Sequence, residues 1–187
     1  MIDVIQVPKQ DAALCYEFAV KSVDSNMSEY VQRSQANRTK VISDIYIGKM
    51  AEMAVCRFFY SKEIRCSYPD FKVYNGFRKN YTPDLKLDKT CGIHVKCQSQ
   101  NIAERYGLSW SFQSKDKLIS EPKENDYIAL CLSNGDEITF IHFVKAEHSI
   151  DKYKDPQKVE LTTKKVLYNE DLYEINSSLG DFVSEFK

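Results

Sequence analysis

The stretch from Thr82 to Gln100 constrains the fold more than any other part of the sequence, because it predicts two strands joined by a tight turn. Leu85 and Leu87 alternate with charged residues, which is the two-residue period of a strand with one buried face. Gly92 closes a four-residue bend, where its freedom to adopt positive φ favours a turn. The second strand follows over residues 93–98. The chain is therefore expected to build a β-sheet around this pair.

Two charged side chains make this pair of strands a candidate for chemistry. Asp84 opens the first strand and Lys96 lies inside the second. Antiparallel pairing can set such groups side by side. A carboxylate offers oxygen ligands to a divalent cation. A lysine can stabilise negative charge on a phosphate or help to orient an attacking water.

These residues resemble the motif of the PD-(D/E)XK nuclease superfamily, which has the restriction-endonuclease-like fold. In that motif a Pro-Asp pair, here Pro83-Asp84, is followed by an acidic residue, any residue and a lysine, here His94-Val95-Lys96. Family members often add a glutamate from a preceding helix, a position that Glu52 matches. Gln98 matches a polar position two residues after the lysine. The resemblance covers roughly residues 44–112, about a third of the chain.

The resemblance implies an α/β fold in one domain over residues 1–187, with a central mixed β-sheet flanked by helices. It implies a metal-dependent endonuclease that hydrolyses phosphodiester bonds with Mg²⁺ or Mn²⁺. Asp84 and Glu52 would bind the cation, and the Val95 carbonyl would add a ligand. Lys96 would stabilise charge in the transition state or orient the nucleophile. Gln98 would position the lysine or a backbone phosphate.

His94 stands where the family has its second carboxylate. It could be a replacement metal ligand, a base, or a strand histidine that is hydrogen-bonded in place. Imidazole suits Mn²⁺ better than Mg²⁺. Loss of the acidic residue leaves two other functions open: a nuclease-like domain that binds nucleic acid without cutting it, and a protein-interaction domain in which the motif is accidental.

Basic charge is concentrated around the motif. The whole chain has a formal net charge of −1, but the segment 72–105 has a net charge of +4. Basic groups contact phosphates, and the interleaved aromatic rings can stack on unpaired bases or pack in the core. Nucleic acid, with DNA expected, is therefore the predicted partner. The predicted substrate-binding residues are Lys72, Arg78, Lys79, Arg105 and Trp110.

Length and composition set the remaining limits. A chain of 187 residues suits one domain with a sizeable core. No apolar run is long enough to span a bilayer and the N-terminus lacks a signal sequence, so we expect a cytoplasmic protein with no membrane partner. A homodimer is left open. The six cysteines include no Cys-x-x-Cys pair, so they are expected to be reduced, mostly buried thiols.

Helical periodicity predicts two helices before the motif, over residues 9–24 and 43–60, the second with Ser43 as N-cap. The polar segment 24–40 between them is expected to be a solvated connection or a mobile loop at the mouth of the site. Strand-like alternation is predicted within residues 63–81.

Further strands are predicted after the motif. One covers residues 108–112, and the clearest hairpin pairs residues 126–133 with 138–144 through a turn at Asn134-Gly135-Asp136. A strand near 159–161 and a short helix over 180–186 complete the expected elements. Earlier in the chain, Pro69-Asp70 is a weaker rival for the Pro-Asp pair of the motif, because no suitable strand and lysine follow it.

Overall fold

The computed structural model describes residues 3–32, 35–74, 82–87, 90–157, 163–176 and 182–184. A mixed five-stranded sheet lies at its centre and a two-stranded sheet packs beside it. The strands are β1 (Val4–Gln6), β2 (Leu85–Leu87), β3 (Cys91–Ser99), β4 (Ser109–Gln113), β5 (Asp126–Asn134), β6 (Glu137–Lys145) and β7 (Lys164–Tyr168). The central order is β1-β6-β5-β3-β2, with β3 and β5 parallel and the other neighbours antiparallel, whereas β4 pairs with β7.

Helices flank this sheet, so the predicted α/β architecture with a central mixed sheet is confirmed. The α-helices are α1 (Lys9–Gln32), α2 (Arg38–Ser61), α3 (Gln100–Tyr106) and α4 (Lys117–Ser120), and 3-10 turns cover Ala146–Lys152 and Asn169–Asp171. None of these helices is long and apolar enough to cross a membrane. All six cysteines are free thiols, and only Cys97 among them is not fully buried.

The side chains of β3 alternate between two apolar clusters. Ile93 and Val95 face the larger cluster, where α2 packs on the sheet through residues such as Ala51 and Val55. The opposite face of the sheet meets the second cluster, which contains Phe112 and neighbouring apolar residues of β4, β5 and β7. Because consecutive strand residues point to opposite faces, Lys96 lies on the side of this second cluster.

The helices before the motif differ from their predicted bounds. Most of the described part of the segment 24–40 is helical: α1 continues to Gln32, and α2 begins at Arg38. The N-cap is Asn37 rather than Ser43, and its side chain accepts a hydrogen bond from Lys40 N at 3.0 Å. The prediction failed because most residues of this segment are polar, whereas its few apolar residues lie on one helix face. On that face Val23 and later residues of α1 pack against Ile42.

The strands predicted within residues 63–81 are wrong for the described part, 63–74. This part meets β2 through an isolated bridge between Cys66 and Leu87 and the adjoining bond from Ser67 N to Lys86 O at 2.8 Å. Asp70, the rival for the motif, accepts hydrogen bonds from Lys72 N at 2.8 Å and from the Tyr74 hydroxyl at 2.9 Å. Both of its carboxylate oxygens therefore stabilise their own loop. Residues 75–81 lie outside the described part of the chain.

The predicted pairing of the motif strands is confirmed, because β2 and β3 are antiparallel with Leu85 opposite Ile93. The role assigned to Gly92 is wrong. It lies inside β3 opposite Lys86 rather than in a turn of positive φ. A Cβ at Gly92 would lie 2.4 Å from both Asp126 Oδ1 and Pro83 Cγ, so the position requires glycine for close packing.

The second predicted hairpin is also confirmed. β5 and β6 pair across the turn that contains Gly135, whose φ of 63° is in the left-handed region that favours glycine. The strand predicted over 108–112 corresponds to β4. The strand predicted at 159–161 lies outside the described residues, and of the predicted final helix the described part, 182–184, is helical.

Candidate active site at the edge of strand β3

Asp84 lies where β2 leaves β3. The pairing of the two strands begins at Leu85. Just before it, the Asp84 carboxylate continues the contact with the edge of β3, because its Oδ2 accepts a hydrogen bond from Val95 N at 2.7 Å. In an extended strand the N–H and C=O groups of one residue point to the same edge. The Val95 carbonyl therefore faces the same edge as the Asp84 carboxylate, and both are hard oxygen donors.

Glu52 brings a second carboxylate to this region from α2. It is only 9% exposed. Burial and the negative charge of Asp84 raise the pKa of the Glu52 carboxyl to about 7, while the positive charges of Lys49 and Lys96 oppose this rise. Asp84, Lys49 and Lys96 therefore all act electrostatically on the buried Glu52 carboxyl.

Lys49 is a site residue that the sequence interpretation missed. Its Nζ lies 2.5 Å from Glu52 Oε2, and its side chain is 14% exposed. The ammonium also lies 5.1 Å from the ring centroid of Phe18 and 5.7 Å from that of Phe71, within the range of cation–π attraction. The available signal was its position three residues before Glu52, which puts both side chains on one helix face.

Lys96 joins this group from β3. It is half-buried, and its Nζ lies 5.4 Å from the ring centroid of Phe112. Its positive charge lowers the pKa of Glu52, opposing the effects of burial and Asp84. The motif lysine therefore acts electrostatically on Glu52, although its side chain lies on the Phe112 face of the sheet and α2 packs on the other face.

His94 does not join them. Its Nε2 lies 3.3 Å from Asp126 Oδ2, and both side chains are buried. Over the described ranges, no three His, Cys, Asp or Glu side chains gather closely enough to hold a metal ion. The expectation that His94 converges with Glu52 and Asp84 is therefore wrong, because β5 supplies it with a carboxylate partner of its own.

Gln98 has partners outside the motif, and the role expected for it stays a prediction. Its Nε2 donates to Gly107 O at 3.2 Å, and its Oε1 accepts from Ser109 N at 3.0 Å. The amide thereby fixes the connection from α3 to β4 against β3. These two bonds use one donor and one acceptor of the amide, so Gln98 shapes the site through the α3–β4 connection.

The structure places the predicted substrate-binding residues in different surroundings. Lys72 and Arg105 are exposed. Arg78 and Lys79 lie outside the described residues. Trp110 is only 2% exposed and its indole N–H donates to Cys131 O at 2.8 Å, so its ring belongs to the core and presents no face for stacking.

A cleft of about 460 Å³ opens beside Lys96. Its lining combines aliphatic, aromatic and hydroxyl side chains from α2, β3, α3, β4 and β7, among them Ile47, Ser99, Ile102, Tyr106, Ser111 and Tyr168. Lys96 and Gln98 lie in its wall, whereas Glu52 and Asp84 do not line it. The cleft therefore shares the motif lysine with the charged group around Glu52 but not its carboxylates.

The chain matches no family model, no curated protein and no solved structure. What it does is inferred from its own residues. Two carboxylates and a strand carbonyl suit a hard divalent cation, since Mg²⁺ commonly takes one or two carboxylates and keeps several waters.

Proposed function

We propose that this protein is a metal-dependent endonuclease of the restriction-endonuclease-like class, which hydrolyses phosphodiester bonds in nucleic acid, with DNA as the expected substrate. The observation that carries the proposal is the Asp84 carboxylate on the edge of β3, with its Oδ2 2.7 Å from Val95 N, within electrostatic reach of the buried Glu52. Burial and Asp84 raise the pKa of Glu52 to about 7, and the charges of Lys49 and Lys96 oppose this rise. Strongly perturbed carboxyl groups with specific charged neighbours are typical of functional sites.

The metal would be held by Asp84 and Glu52 with the Val95 carbonyl as a third oxygen donor. When bound, Mg²⁺ or Mn²⁺ would polarise the scissile phosphate and lower the pKa of a bound water. A cation bound between the two carboxylates would stabilise both of them, because it would remove their mutual repulsion. Lys96, the residue after Val95 on β3, would supply a positive charge for the phosphate.

A cleavage assay tests this proposal. Purified protein is incubated with labelled single- and double-stranded DNA and RNA in EDTA, Mg²⁺ or Mn²⁺. We expect cleavage that requires a divalent cation and is lost in Asp84→Asn, which retains a side-chain oxygen to accept the Val95 N–H and so should keep the fold. Asp151→Asn is the matched control, since Asp151 is a solvent-exposed carboxylate. Equal cleavage by Asp84→Asn and its parent would mean that the site lies elsewhere.

A nuclease-like domain that binds nucleic acid without cutting it is the second candidate function. It is favoured by the contact between Lys49 Nζ and Glu52 Oε2, because an ammonium already neutralises the carboxylate that a metal would use. The same assay separates the two functions. Metal-independent binding with no cleavage under any of the cation conditions would support this second function and contradict the first.

A further inference from the structure

We infer that the cleft beside Lys96 receives one unpaired nucleobase of the substrate, so that the protein acts on single-stranded rather than duplex nucleic acid. This inference rests on the proposed nuclease function and adds the substrate class. It starts from the position of the cleft, because Lys96 is shared between the cleft wall and the charged group around Glu52. A nucleotide whose phosphate is held by Lys96 would have its base within reach of the cleft.

The size of the cleft suits one base. A volume of about 460 Å³ is in the lower half of the range for small-ligand sites, roughly 300–1,000 Å³. In an intact duplex each base is stacked and paired within the helix, so it must leave the stack before it can enter a pocket of this kind. A single strand does not incur the cost of unpairing.

The lining has the chemistry that a base requires. The half-buried Tyr106 of α3 supplies a ring, and Ile102 adds an exposed aliphatic side chain. Tyr168 of β7 borders the cleft with a ring that is only 8% exposed. Flat apolar surfaces of this kind bind the faces of any base. The edges of a base need hydrogen-bonding groups, and the cleft offers the hydroxyls of Ser99 and Ser111. Ser99 precedes α3 but makes no side-chain capping bond to it, and Ser111 is exposed.

The charges around the cleft suit the phosphates of one strand. Lys96 lies in its wall, and the Arg105 guanidinium lies 5.0 Å from the ring centroid of Tyr106. Lys40 also lines the cleft but is paired with Asp44 at 2.7 Å, so these two contribute little net charge. Cations beside an aromatic surface form the usual arrangement for binding single strands.

The test measures binding without cleavage, in EDTA, by fluorescence anisotropy. The probes are a labelled oligothymidylate and a labelled hairpin duplex of the same length. Ser111→Trp fills the cleft, and Ser120→Trp is the matched control because Ser120 is exposed on α4 and does not line it. Tyr106→Ala removes a ring without adding bulk and gives a second measurement should the tryptophan variant fail to fold, as judged by circular dichroism.

We expect the parent to bind the single strand more tightly than the duplex, and Ser111→Trp and Tyr106→Ala each to weaken single-strand binding by about tenfold. Ser120→Trp should bind as the parent does. Equal affinity of the parent for both probes, or unchanged single-strand binding by folded Ser111→Trp and Tyr106→Ala, would overturn the inference.

The two proposals fail in different ways. A protein that binds single strands in a Ser111-dependent manner but cuts nothing would retain the cleft inference and lose the nuclease function. A protein that cuts duplex DNA in an Asp84-dependent manner and is indifferent to Ser111→Trp would retain the nuclease function and lose the cleft inference.

Discussion

At the scale of single residues, the contact between Lys49 and Glu52 has the largest consequence for the site. Both side chains are nearly buried, and each satisfies the charge of the other. Removing one member of a buried ion pair leaves an uncompensated charge, which is costly in a weakly solvated place. A metal bound to Glu52 would have to displace the ammonium or share the carboxylate with it.

Lys49→Met tests this competition. Without metal we expect the variant to lose about 1–3 kcal/mol of unfolding free energy, because Glu52 loses its partner. Added Mn²⁺ should raise the melting temperature of the variant more than that of the parent, since the cation then meets no competing ammonium. Thermal unfolding with EDTA and with Mn²⁺ measures both effects. Lys40→Met, which removes an exposed lysine of the same helix, should change neither, and an equal Mn²⁺ shift in Lys49→Met and the parent would contradict the competition.

His94→Ala should affect stability rather than metal use. The substitution leaves the buried Asp126 carboxylate without the imidazole that faces it at 3.3 Å, and we expect a loss of about 1–3 kcal/mol. Urea unfolding measures this loss, and a Mn²⁺ titration of cleavage should give the same half-saturating concentration as the parent. A tenfold higher Mn²⁺ requirement with unchanged stability would instead make His94 a ligand.

His142 should make the fold sensitive to acid. Its side chain is buried, with Nε2 2.9 Å from Asn169 Oδ1, and burial lowers its pKa below the usual 6.5, although hydrogen bonds with Asn169 and Asn176 oppose this. As the pH falls through about 6.5 the unfolded chain takes up a proton that the folded protein does not, so stability decreases. Urea unfolding between pH 8 and pH 5 should show a smaller loss for His142→Gln than for the parent. The exposed His148 gives the control, His148→Gln, and a parallel loss in all three proteins would contradict this role.

At the scale of elements, the sequence was most informative where local pattern and tertiary packing agree. The hairpins β2–β3 and β5–β6 have alternating apolar residues and a turn nearby, and both were predicted. The three-residue β1, the short α3 and β7 were not, because each is stabilised by neighbours distant in sequence. β1 pairs with β6, and β7 pairs with β4.

The site was predicted only in part for a similar reason. Motif spacing singled out Asp84, Glu52 and Lys96, and both Asp84 and Lys96 influence the pKa of Glu52. Their roles in catalysis stay predictions. The partners of His94 and Gln98 come from β5 and from the α3–β4 connection, and no local pattern specifies those contacts. Gly92 was assigned to a turn because glycine favours turns, whereas its surroundings require it to lack a side chain.

The kink in α1 at Asn26 leads to a prediction about the stability of this helix. Its backbone leaves helical geometry at φ −135° and ψ 20°, and its Nδ2 donates to Ser22 O at 3.1 Å and to Tyr74 O at 3.0 Å. The side chain therefore joins the kink to the loop around Asp70. We expect Asn26→Ala to cost about 1 kcal/mol in urea unfolding. Ser25→Ala, at an exposed neighbour, should be within about 0.5 kcal/mol of the parent, and a similar result for Asn26→Ala would mean that the two bonds add nothing.

At the scale of the whole molecule, a net charge near zero means that attraction for nucleic acid must come from the local distribution. Each phosphate neutralised on a single strand contributes about −0.7 to the slope of log affinity against log salt concentration. If Arg105 contacts one phosphate, Arg105→Ala should make the slope shallower by about 0.7. Lys21→Ala removes the same charge from α1 and should leave the slope unchanged. Equal slopes for Arg105→Ala and its parent would place Arg105 outside the binding surface.

The tight packing at Gly92 joins two parts of the molecule that otherwise have separate roles. On one side of this residue lies Asp126, the partner of His94, and on the other lies Pro83, the residue before Asp84. Any side chain here must push one of them away, and the proline ring cannot yield by changing rotamer. If the protein cleaves nucleic acid as proposed, a genetic screen for inactive variants would therefore return position 92 as well as the carboxylates, although Gly92 has no reactive atom. Such a result would show that the packing at Gly92 keeps Pro83, and with it Asp84, in position against the sheet.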